Sequence, residues 1–371
     1  MLIEETLNTG QNTDAPLRLR ARKPELGLLD LSLEDLRAWF RDHGHPQYRA
    51  TQVWQALYRD LVVGPEEITT LSKALRQTLA EALPLPVLEP LRVWEADGGA
   101  TRKALFRLYD GKAVESVLMQ YEDGRATVCV SSQAGCAMGC VFCATGLGGF
   151  DRNLTTGEIL GQILYFARDL HSRGGRLTNI VYMGMGEPLA NPVAVRRSIE
   201  NLHEPEGMDF SPRRVTVSTV GLVPQIRAFA EWGLPVNLAI SLHAANDELR
   251  SSMMPVNDRW PISELLDAAR EYTDRSGRRI SFEYALIADR NSSLGHAREL
   301  GRLLSGMLCH VNLIPLNNVP GSPLKPPTPE EVRAFQMEVA RTGVPCTVRL
   351  ERGADILAAC GQLRIEHAQP S

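Results

Sequence analysis

The amino-acid sequence predicts an α/β fold: a partial barrel of six βα units, written (βα)6, that follows a small helical accessory domain and a β-hairpin. Three observations lead to this prediction. Apolar, β-rich segments alternate with helix-patterned segments after residue 122, which is typical of parallel βαβ units. Helical patterns dominate before residue 90. Between the two regions, Asp110 and Gly111 join two β-rich segments, as expected of a hairpin turn.

The helical accessory domain is predicted from signals that mark the starts of helices. Ser32 and Asp35 have the spacing of a capping box. A second helix is predicted over residues 49–58, and Ser72 begins a third. The expected division of the chain is a tail (1–27), the helical accessory domain (28–90), a β-hairpin linker (91–121), the barrel (122–363) and a second tail (364–371).

The barrel strands are predicted from short apolar runs bounded by turn residues. The hairpin strands cover residues 103–109 and 113–119. The six barrel strands cover residues 127–132, 179–183, 215–219, 236–242, 280–287 and 311–316. Helices between them include residues 156–170, 262–272 and 294–304. Thr328 is expected to cap a last helix with Pro329 at its first position, and a final strand is expected over residues 347–350.

Composition excludes several functional classes. The chain carries 40 Lys and Arg against 44 Asp and Glu, a net charge of −4, whereas nucleic-acid-binding domains are usually basic. No apolar run is long enough to cross a bilayer, and the polar N-terminus lacks the layout of a signal peptide. We therefore expect a cytoplasmic protein without a membrane partner. Local basic groups, otherwise typical of solvated surface, are Arg18, Arg20, Arg22 and Lys23, then Arg213 with Arg214, then Arg278 with Arg279.

Three cysteines are spaced as ligands of an iron–sulfur cluster. The run Cys136-Ala-Met-Gly-Cys140-Val-Phe-Cys143 directly follows the first predicted barrel strand. Active sites of such barrels lie at the C-terminal ends of strands. Three thiolates can bind three irons of a [4Fe–4S] cluster and leave the fourth iron open for a substrate. That substrate would be S-adenosylmethionine (SAM), whose reductive cleavage yields a 5′-deoxyadenosyl radical.

A structural zinc site is the alternative interpretation of these cysteines. Such a site takes four ligands, usually as two pairs. No second Cys or His pair stands at the spacing of a zinc finger, and His171 lies beyond a predicted helix. The odd total of seven cysteines also argues against a disulfide framework. The cluster interpretation is therefore favoured.

Glycines and polar residues at the later strand ends form the predicted SAM site. The run Gly184-Met-Gly186-Glu187-Pro follows the second strand, where glycines let a ligand approach the backbone. Glu187 is expected to accept hydrogen bonds from the amino group of SAM. A polar residue at one strand end is ordinarily just the start of a loop, and only the recurrence favours a site. The predicted SAM contacts are Gly186, Glu187, Ser218, Ser241, Leu242, His243 and Asn317.

Together these motifs resemble the RlmN/Cfr family of radical SAM RNA methyltransferases, and RlmN more than Cfr. The segment Tyr48-Arg-Ala-Thr-Gln-Val-Trp54 is similar to the accessory domain of RlmN, and the match covers residues 28–363. The resemblance in the barrel is carried by Arg125-Ala-Thr-Val-Cys129-Val-Ser-Ser-Gln-Ala-Gly-Cys136, Cys143-Ala-Thr-Gly, Arg152-Asn-Leu, Gly184-Met-Gly-Glu-Pro, Ser241-Leu-His-Ala, Asn317 in Ile-Pro-Leu-Asn, and Arg352-Gly-Ala-Asp-Ile-Leu-Ala-Ala-Cys360-Gly-Gln-Leu.

The resemblance implies methylation of C2 of an adenosine in large-subunit (23S) ribosomal RNA and of the adenosine 3′ of the tRNA anticodon. Because C2 of adenine is electron-poor, it cannot attack the methyl group of SAM as a nucleophile, and a carbon radical is needed. The implied cofactors are the [4Fe–4S] cluster and SAM, with two SAM consumed per methyl group transferred. The implied partners are the two RNAs and an electron donor such as flavodoxin or ferredoxin, and we expect a monomer.

The resemblance also implies roles for three residues. Cys360 would carry the methyl group as S-methylcysteine, and Cys129 would resolve a protein–RNA adduct through a transient disulfide with Cys360. Glu115 would accept the proton from C2. Taken alone, Cys129 in a Val-rich strand is typical of packing, and Cys360 before a glycine is typical of a helix end. Cys309 and Cys346 match no motif and are expected to pack.

Each alternative function differs in a feature that can be checked. A Cfr-like enzyme would methylate C8 of adenine with nearly the same motifs. A methylthiotransferase would need further cluster cysteines before Cys129, where none occurs. A cobalamin-dependent enzyme would need a larger N-terminal domain. A non-catalytic Fe–S or zinc protein that only binds RNA would not cleave SAM.

Overall fold

The structure is a computed structural model, and it describes residues 26–86, 88–317, 322–349 and 352–363. Apart from residues 26 and 27, the two predicted tails lie outside the described ranges. The first group of basic residues, Arg18, Arg20, Arg22 and Lys23, lies outside them as well.

Three helices form the N-terminal part of the described chain, as predicted. They are α1 (Leu33–Asp42), α2 (Tyr48–Tyr58) and α3 (Lys73–Ala82). The Ser32 hydroxyl accepts a hydrogen bond from the Asp35 N–H at 3.1 Å, and the Asp35 carboxylate accepts one from the Ser32 N–H at 2.9 Å. This reciprocal capping box satisfies two of the amide groups that a helix start leaves unpaired. The Ser72 hydroxyl caps α3 through the Leu75 N–H.

Ten strands of the described residues form one mixed sheet, and two more form a small antiparallel pair. The strands are β1 (Glu89–Ala96), β2 (Thr101–Arg107), β3 (Ala113–Gln120), β4 (Ala126–Cys129), β5 (Gln133–Gly135), β6 (Phe150–Asn153), β7 (Asn179–Tyr182), β8 (Val215–Thr219), β9 (Asn237–Ser241), β10 (Ile280–Leu286), β11 (Cys309–Pro315) and β12 (Cys346–Val348).

The order of the large sheet is β1-β2-β3-β4-β7-β8-β9-β10-β11-β12. From β4 to β12 neighbouring strands are parallel, and they include all six predicted barrel strands. The predicted hairpin is β2 and β3, but β3 also pairs with β4 in antiparallel register. Sequence analysis missed β1, whose exposed residues show little apolar alternation. The hairpin therefore extends the barrel sheet.

Helices cover the parallel strands. They are α4 (Ala144–Leu147), α5 (Thr156–Ser172), α6 (Pro192–His203), α7 (Val223–Ala230), α8 (Asp247–Met253), α9 (Ile262–Ser276), α10 (Leu294–Leu304) and α11 (Pro329–Ala340). Thr328 caps α11 through the Glu331 N–H, with Pro329 at the first helical position, as predicted. In the described parts of the chain, none of the helices combines the length and apolar character that a membrane span requires.

The three-helix domain is fixed to the barrel by polar contacts. The Asp30 carboxylate accepts a hydrogen bond from the Gly157 N–H at 2.7 Å, in the first turn of α5. The buried Asn201 amide of α6 donates to the Leu31 carbonyl at 2.8 Å. Arg168 of α5 donates to the carbonyls of Leu61 and Val62. A carboxylate at a helix N-terminus is favoured by the helix dipole, so Asp30 joins the two units electrostatically as well.

The C-terminal residues 352–363, which we call the closing segment, run from the β1–β2 edge of the sheet to the cysteine loop. The Gly353 N–H donates to the Asp97 carboxylate at 3.2 Å, and the Lys103 ammonium donates to the Leu357 carbonyl at 3.2 Å. Further on, the Ala144 N–H donates to the Gly361 carbonyl and the Thr145 hydroxyl to the Leu363 carbonyl. The closing segment therefore bridges the opening of the partial barrel and rests on the loop that carries the three spaced cysteines.

Replacing Asp30 by alanine is expected to lower the free energy of unfolding by about 1–2 kcal/mol, because the α5 amide loses its charged acceptor. Urea denaturation followed by circular dichroism measures this change. Asp42→Ala is the matched control, because Asp42 is exposed and pairs only with the neighbouring Arg41. Equal losses in the two variants would show that Asp30 does not join the units.

Candidate active site

The predicted site residues collect at the C-terminal ends of the parallel strands. β4 leads into the cysteine loop, and Ser218 and Ser241 stand at or next to the ends of β8 and β9. Asn317 follows the end of β11. Because parallel strands share one direction, residues from distant parts of the sequence meet at this rim.

The cysteine loop is held by backbone hydrogen bonds. The Cys136 N–H donates to the Gly149 carbonyl at 2.7 Å, and the Val141 N–H donates to the Met253 carbonyl at 3.1 Å. Cys136, Cys140 and Cys143 are all partly buried free thiols. Burial raises the pKa of Cys136 to about 11, and burial followed by the charges of Cys143 and Cys136 raises the pKa of Cys140. Three thiols in one loop thus affect one another electrostatically.

The donor chemistry of this loop fits a [4Fe–4S] cluster better than a single metal ion. In the described residues, no three His, Cys, Asp or Glu side chains are arranged to hold one ion. A cubane cluster takes one thiolate on each of three irons, so its ligands do not converge on one point. Three soft thiolates without a fourth Cys or His are the ligand set that leaves one iron open.

A cavity of about 680 Å³ adjoins the cysteine loop. Four of the predicted SAM contacts line it, namely Ser218, Ser241, His243 and Asn317. Cys143 and Phe142 of the loop form one wall, and Cys360 forms another. We call this the first cavity. It combines apolar walls with a few polar groups, as small-molecule sites do.

The other three predicted SAM contacts do not line the first cavity. Both oxygens of the buried Glu187 carboxylate already accept backbone N–H groups, from Val220 at 2.7 Å and from Leu189 at 3.0 Å. Burial raises the pKa of Glu187 to about 7. Gly186 has φ = 98°, and a Cβ there would lie 2.5 Å from the Gln133 side chain. Gly186 and Glu187 therefore shape the rim. The Leu242 side chain is fully buried in the core.

His243 is held in one tautomer at the wall of the first cavity. The Ala285 N–H donates to its Nδ1 at 2.8 Å, so the proton of the neutral ring is on Nε2. Burial, and then the positive charge of Arg250, lower the pKa of His243 to about 3. The ring packs edge-on against Phe142 with centroids 4.7 Å apart. His243 is therefore a neutral hydrogen-bond donor beside the cysteine loop.

Arg250 is a buried cation that sequence analysis did not single out. Its guanidinium donates to the carbonyls of Val220, Ser241 and Leu242, which end β8 and β9. Burial lowers the pKa of Arg250 to about 10. Five donors in a fixed fork suit it to tie several carbonyls at once. It holds two strand ends in the orientation that lines the first cavity.

A second cavity, of about 610 Å³, contains both Cys129 and Cys360. It shares Met183, Ile314, Asn317, Arg349 and Cys360 with the first cavity. The Asn317 amide donates to the Cys360 carbonyl at 2.9 Å and so fixes this residue between the two cavities. The structure thus brings together two cysteines from opposite ends of the barrel sequence.

Arg349 lines the second cavity together with these cysteines, and it was not predicted from the sequence. Burial and the charge of Cys360 raise the pKa of Cys129 to about 12, whereas the Arg349 guanidinium opposes this rise. The Cys360 thiolate in turn is the main cause that raises the pKa of Arg349. The Arg349 charge favours the thiolate form of Cys129, which is the nucleophilic form, but burial has the larger effect.

Glu115 lies outside both cavities, on β3. Its side chain is 2% exposed, and one carboxylate oxygen pairs with the Lys103 ammonium at 2.9 Å. Lys103 also donates to the Leu357 carbonyl, three residues before Cys360 in the closing segment. The ion pair stabilises the carboxylate form, which is the form that accepts a proton. Glu115 is therefore tied to the closing segment through Lys103.

The basic pairs singled out in the sequence lie away from this site. Arg213 and Arg214 directly precede β8, and Arg278 and Arg279 precede β10. They stand at the N-terminal ends of the strands, opposite the rim that carries the cavities. Arg213, Arg214 and Arg279 are exposed, in agreement with the solvated-surface interpretation, whereas Arg278 is half-buried and donates to the Asn237 side chain. The cations at the cavities are instead Arg349 and Arg352.

Comparison with known proteins agrees with this geometry. The profile of the Radical SAM superfamily matches residues 130–287, and the profile of the ribosomal RNA large subunit methyltransferase N-terminal domain matches residues 26–84. A crystal structure of a radical SAM methyltransferase from Sphaerobacter thermophilus superposes with a TM-score of 0.91 and is 51% identical. The match covers 92% of this chain and 100% of that one.

Full-length relatives are similar over nearly the whole chain. The protein of Corynebacterium diphtheriae named "Probable dual-specificity RNA methyltransferase RlmN" is 48% identical over 360 residues, which is 96% of this chain and 97% of that protein. The protein of the same name from Chloroflexus aurantiacus is 49% identical over 354 residues, covering 92% of this chain and 94% of that protein.

His243→Asn is expected to remove a pH dependence of stability. The unfolded imidazole takes up a proton near pH 6.5, but the folded one does so only near pH 3, so stability is lost as pH falls below 6.5. Between pH 7 and 5 the wild type should lose about 2 kcal/mol that the variant keeps. Asparagine preserves the acceptor for Ala285 and tolerates the local φ of 58°.

Urea denaturation at the two pH values measures this difference. His171→Asn is the control, because His171 is exposed at the end of α5. A wild type that loses no more stability than His243→Asn on acidification would show that the folded ring takes up its proton at nearly the same pH as the unfolded one.

Proposed function

Because the chain belongs to the RlmN family of radical SAM proteins, we propose that it is an RNA methyltransferase that methylates C2 of adenosine. The proposed substrates are 23S ribosomal RNA and the tRNA position 3′ of the anticodon. The proposed route passes through S-methylcysteine at Cys360 and a transient protein–RNA adduct that Cys129 resolves.

One observation carries the proposal: Cys360 lines both cavities, and Cys129 lines one of them. A methyl carrier must face the methyl donor first and the RNA base afterwards. A residue shared by two adjoining cavities can meet both reactants with little movement. The resolving thiol is needed only on the RNA side, and Cys129 lies on the side away from the cysteine loop.

In this proposal Cys136, Cys140 and Cys143 hold the cluster, and Ser218, Ser241, His243 and Asn317 line the SAM site. When bound, the cluster and SAM supply a methyl group for the Cys360 thiolate and then a radical that removes one hydrogen from that methyl group. The chain positions the carrier for both events through the hydrogen bond from Asn317 to the Cys360 carbonyl. Arg349 stabilises the thiolate that accepts the methyl group.

The remaining steps use Cys129 and Cys360 of the second cavity, together with Glu115, which lies outside that cavity on β3. The Cys360-bound methylene radical would bond to C2 of adenine. The adduct would then lose one electron to the bound cluster, and the C2 proton would pass to the Glu115 carboxylate. The Cys129 thiolate then attacks the Cys360 sulfur, which breaks the carbon–sulfur bond and forms the Cys129–Cys360 disulfide. The released carbon takes a proton and becomes the methyl group of the product. An external electron donor must reduce the disulfide before the next cycle.

The walls of the second cavity suit a nucleobase. Met119, Met183 and Ile314 are apolar, and the Arg352 guanidinium stacks over the Tyr121 ring at 4.7 Å from its centroid. Arg125 stacks on the same ring at 4.5 Å. RNA bases that leave the helix stack on aromatic rings and guanidinium planes, and arginines neutralise phosphates. A splayed adenosine is the ligand that these groups favour.

Nucleoside mass spectrometry tests the proposal. The protein is reconstituted anaerobically with iron and sulfide and given SAM, a reductant and unmodified 23S ribosomal RNA or tRNA. We expect 2-methyladenosine in both RNAs. The appearance of 8-methyladenosine would move the specificity to that of Cfr, and 5′-deoxyadenosine without a methylated base would overturn RNA as the substrate.

Replacing Cys360 and replacing Cys129 should stop the reaction at different steps. Cys360→Ala is expected to abolish methylation while cluster content and SAM binding stay unchanged. Cys129→Ala should accumulate a covalent protein–RNA adduct, detected as a shifted band that ribonuclease removes. Cys346→Ala, at a partly buried cysteine outside both cavities, is the control and should leave the rate unchanged. Free methylated RNA at the wild-type rate from Cys129→Ala would remove Cys129 from the mechanism.

A further inference from the structure

Glu283 is a buried carboxylate in the wall of the first cavity that no step above uses. It lies on β10, in register with Ser241 on β9 and with Asn312 on β11. Side chains at the same level of neighbouring parallel strands point to the same face, so these three polar groups form a row. Glu283 and Ser241 both line the first cavity, and Glu283 is 5% exposed.

Only one oxygen of this carboxylate has a hydrogen-bond partner. The Asn312 amide donates to Glu283 Oε1 at 2.9 Å. Oε2 is buried and accepts no hydrogen bond within the described ranges of the chain. A buried carboxylate oxygen without a donor costs free energy, and a neutral residue of the same shape would avoid that cost. An incompletely paired acid in a cavity wall therefore points to a ligand that supplies the missing donor.

Two opposing effects act on the pKa of the Glu283 carboxyl group. Burial raises the pKa of Glu283, and the Arg349 guanidinium opposes that rise. No cation of the described residues comes within ion-pair distance, so Arg349 acts from further away. The carboxylate is held by Asn312, and its other oxygen is buried in the cavity wall without a donor from the described residues.

We propose that Glu283 is a SAM ligand whose free oxygen accepts a hydrogen bond from the ribose hydroxyls. The inference rests on the proposed function only in taking SAM as the occupant of the first cavity. A carboxylate offers acceptors and no donor, so it complements a group that offers donors. The ribose presents two neighbouring hydroxyls, and Ser241, level with Glu283, can share them.

The other donors of SAM fit this wall less well. The adenine amine stands beside a ring nitrogen that accepts hydrogen bonds, so its edge is complemented by a group with both donor and acceptor. The amino group of the methionine part is expected at the open iron next to the cysteine loop, whereas Glu283 is on β10. The ribose hydroxyls are therefore the chemical group assigned to Glu283.

Isothermal titration of the cluster-reconstituted protein with SAM tests this assignment without RNA. A hydrogen bond to a charged group contributes about 1.5–3 kcal/mol, so Glu283→Gln should bind SAM about 10- to 100-fold more weakly. SAM analogues that lack the 2′ or 3′ hydroxyl should bind the wild type more weakly. For at least one analogue, Glu283→Gln should bind the analogue and SAM equally well. The variant and the analogue each remove one partner of the same hydrogen bond, so their effects should not add.

Thermal unfolding of the ligand-free protein separates a ligand role from a structural one. Glu283→Gln should unfold at the wild-type temperature or higher, because an incompletely paired buried charge is removed. Glu158→Gln is the matched control: Glu158 is equally buried but fully paired with Arg152 and the Thr155 N–H. That variant should lose stability and keep the wild-type affinity for SAM.

The outcomes are separable from those of the proposed function. A SAM affinity within two-fold of the wild type for Glu283→Gln, or equal losses with the deoxy analogues in both proteins, would overturn the assignment. Lower ligand-free stability with unchanged SAM affinity would make Glu283 a structural residue. Weaker SAM binding that depends on a ribose hydroxyl would support the assignment even if no RNA were methylated.

Discussion

The candidate site depends on the return of the closing segment across the opening of the barrel sheet. Within the described residues the sheet ends at β1 and β12. The closing segment donates a hydrogen bond to Asp97 and accepts hydrogen bonds from Lys103 and from the cysteine loop. This crossing places Cys360 beside Cys129 and on the border between two cavities. A closed barrel with eight strands would leave no such opening, so the partial barrel is what gives the closing segment its place.

Buried polar groups give the rim its shape, and most of them are paired within the chain. Arg250 ties the ends of β8 and β9, Glu187 binds the amides of Val220 and Leu189, and Glu115 is paired with Lys103. Each pair offsets a desolvation cost that an unpaired group would impose. Against this background the free oxygen of Glu283 stands out, because its donor is missing from the described residues.

Much of the architecture was predictable because its signals are local. Capping boxes at Ser32 and Thr328 depend on residues three positions apart, and alternating apolar runs mark the barrel strands. The strand β1 was not predicted, because it is an exposed edge without an alternating apolar pattern. It forms a strand through its pairing with β2. Glu187 was expected to face SAM, but only the fold places two backbone amides on its carboxylate.

By itself, the sequence determined the cysteine loop, the six parallel strands and the strand ends that gather at one rim, because spacing and periodicity are properties of neighbouring residues. Only the tertiary structure decided which residues meet. Cys129, Cys360 and Arg349 line one cavity, and Glu283 lines the other cavity together with Ser218 and His243. These contacts join residues far apart in the chain, and their formation depends on sheet register and on the path of the closing segment, which no local pattern encodes.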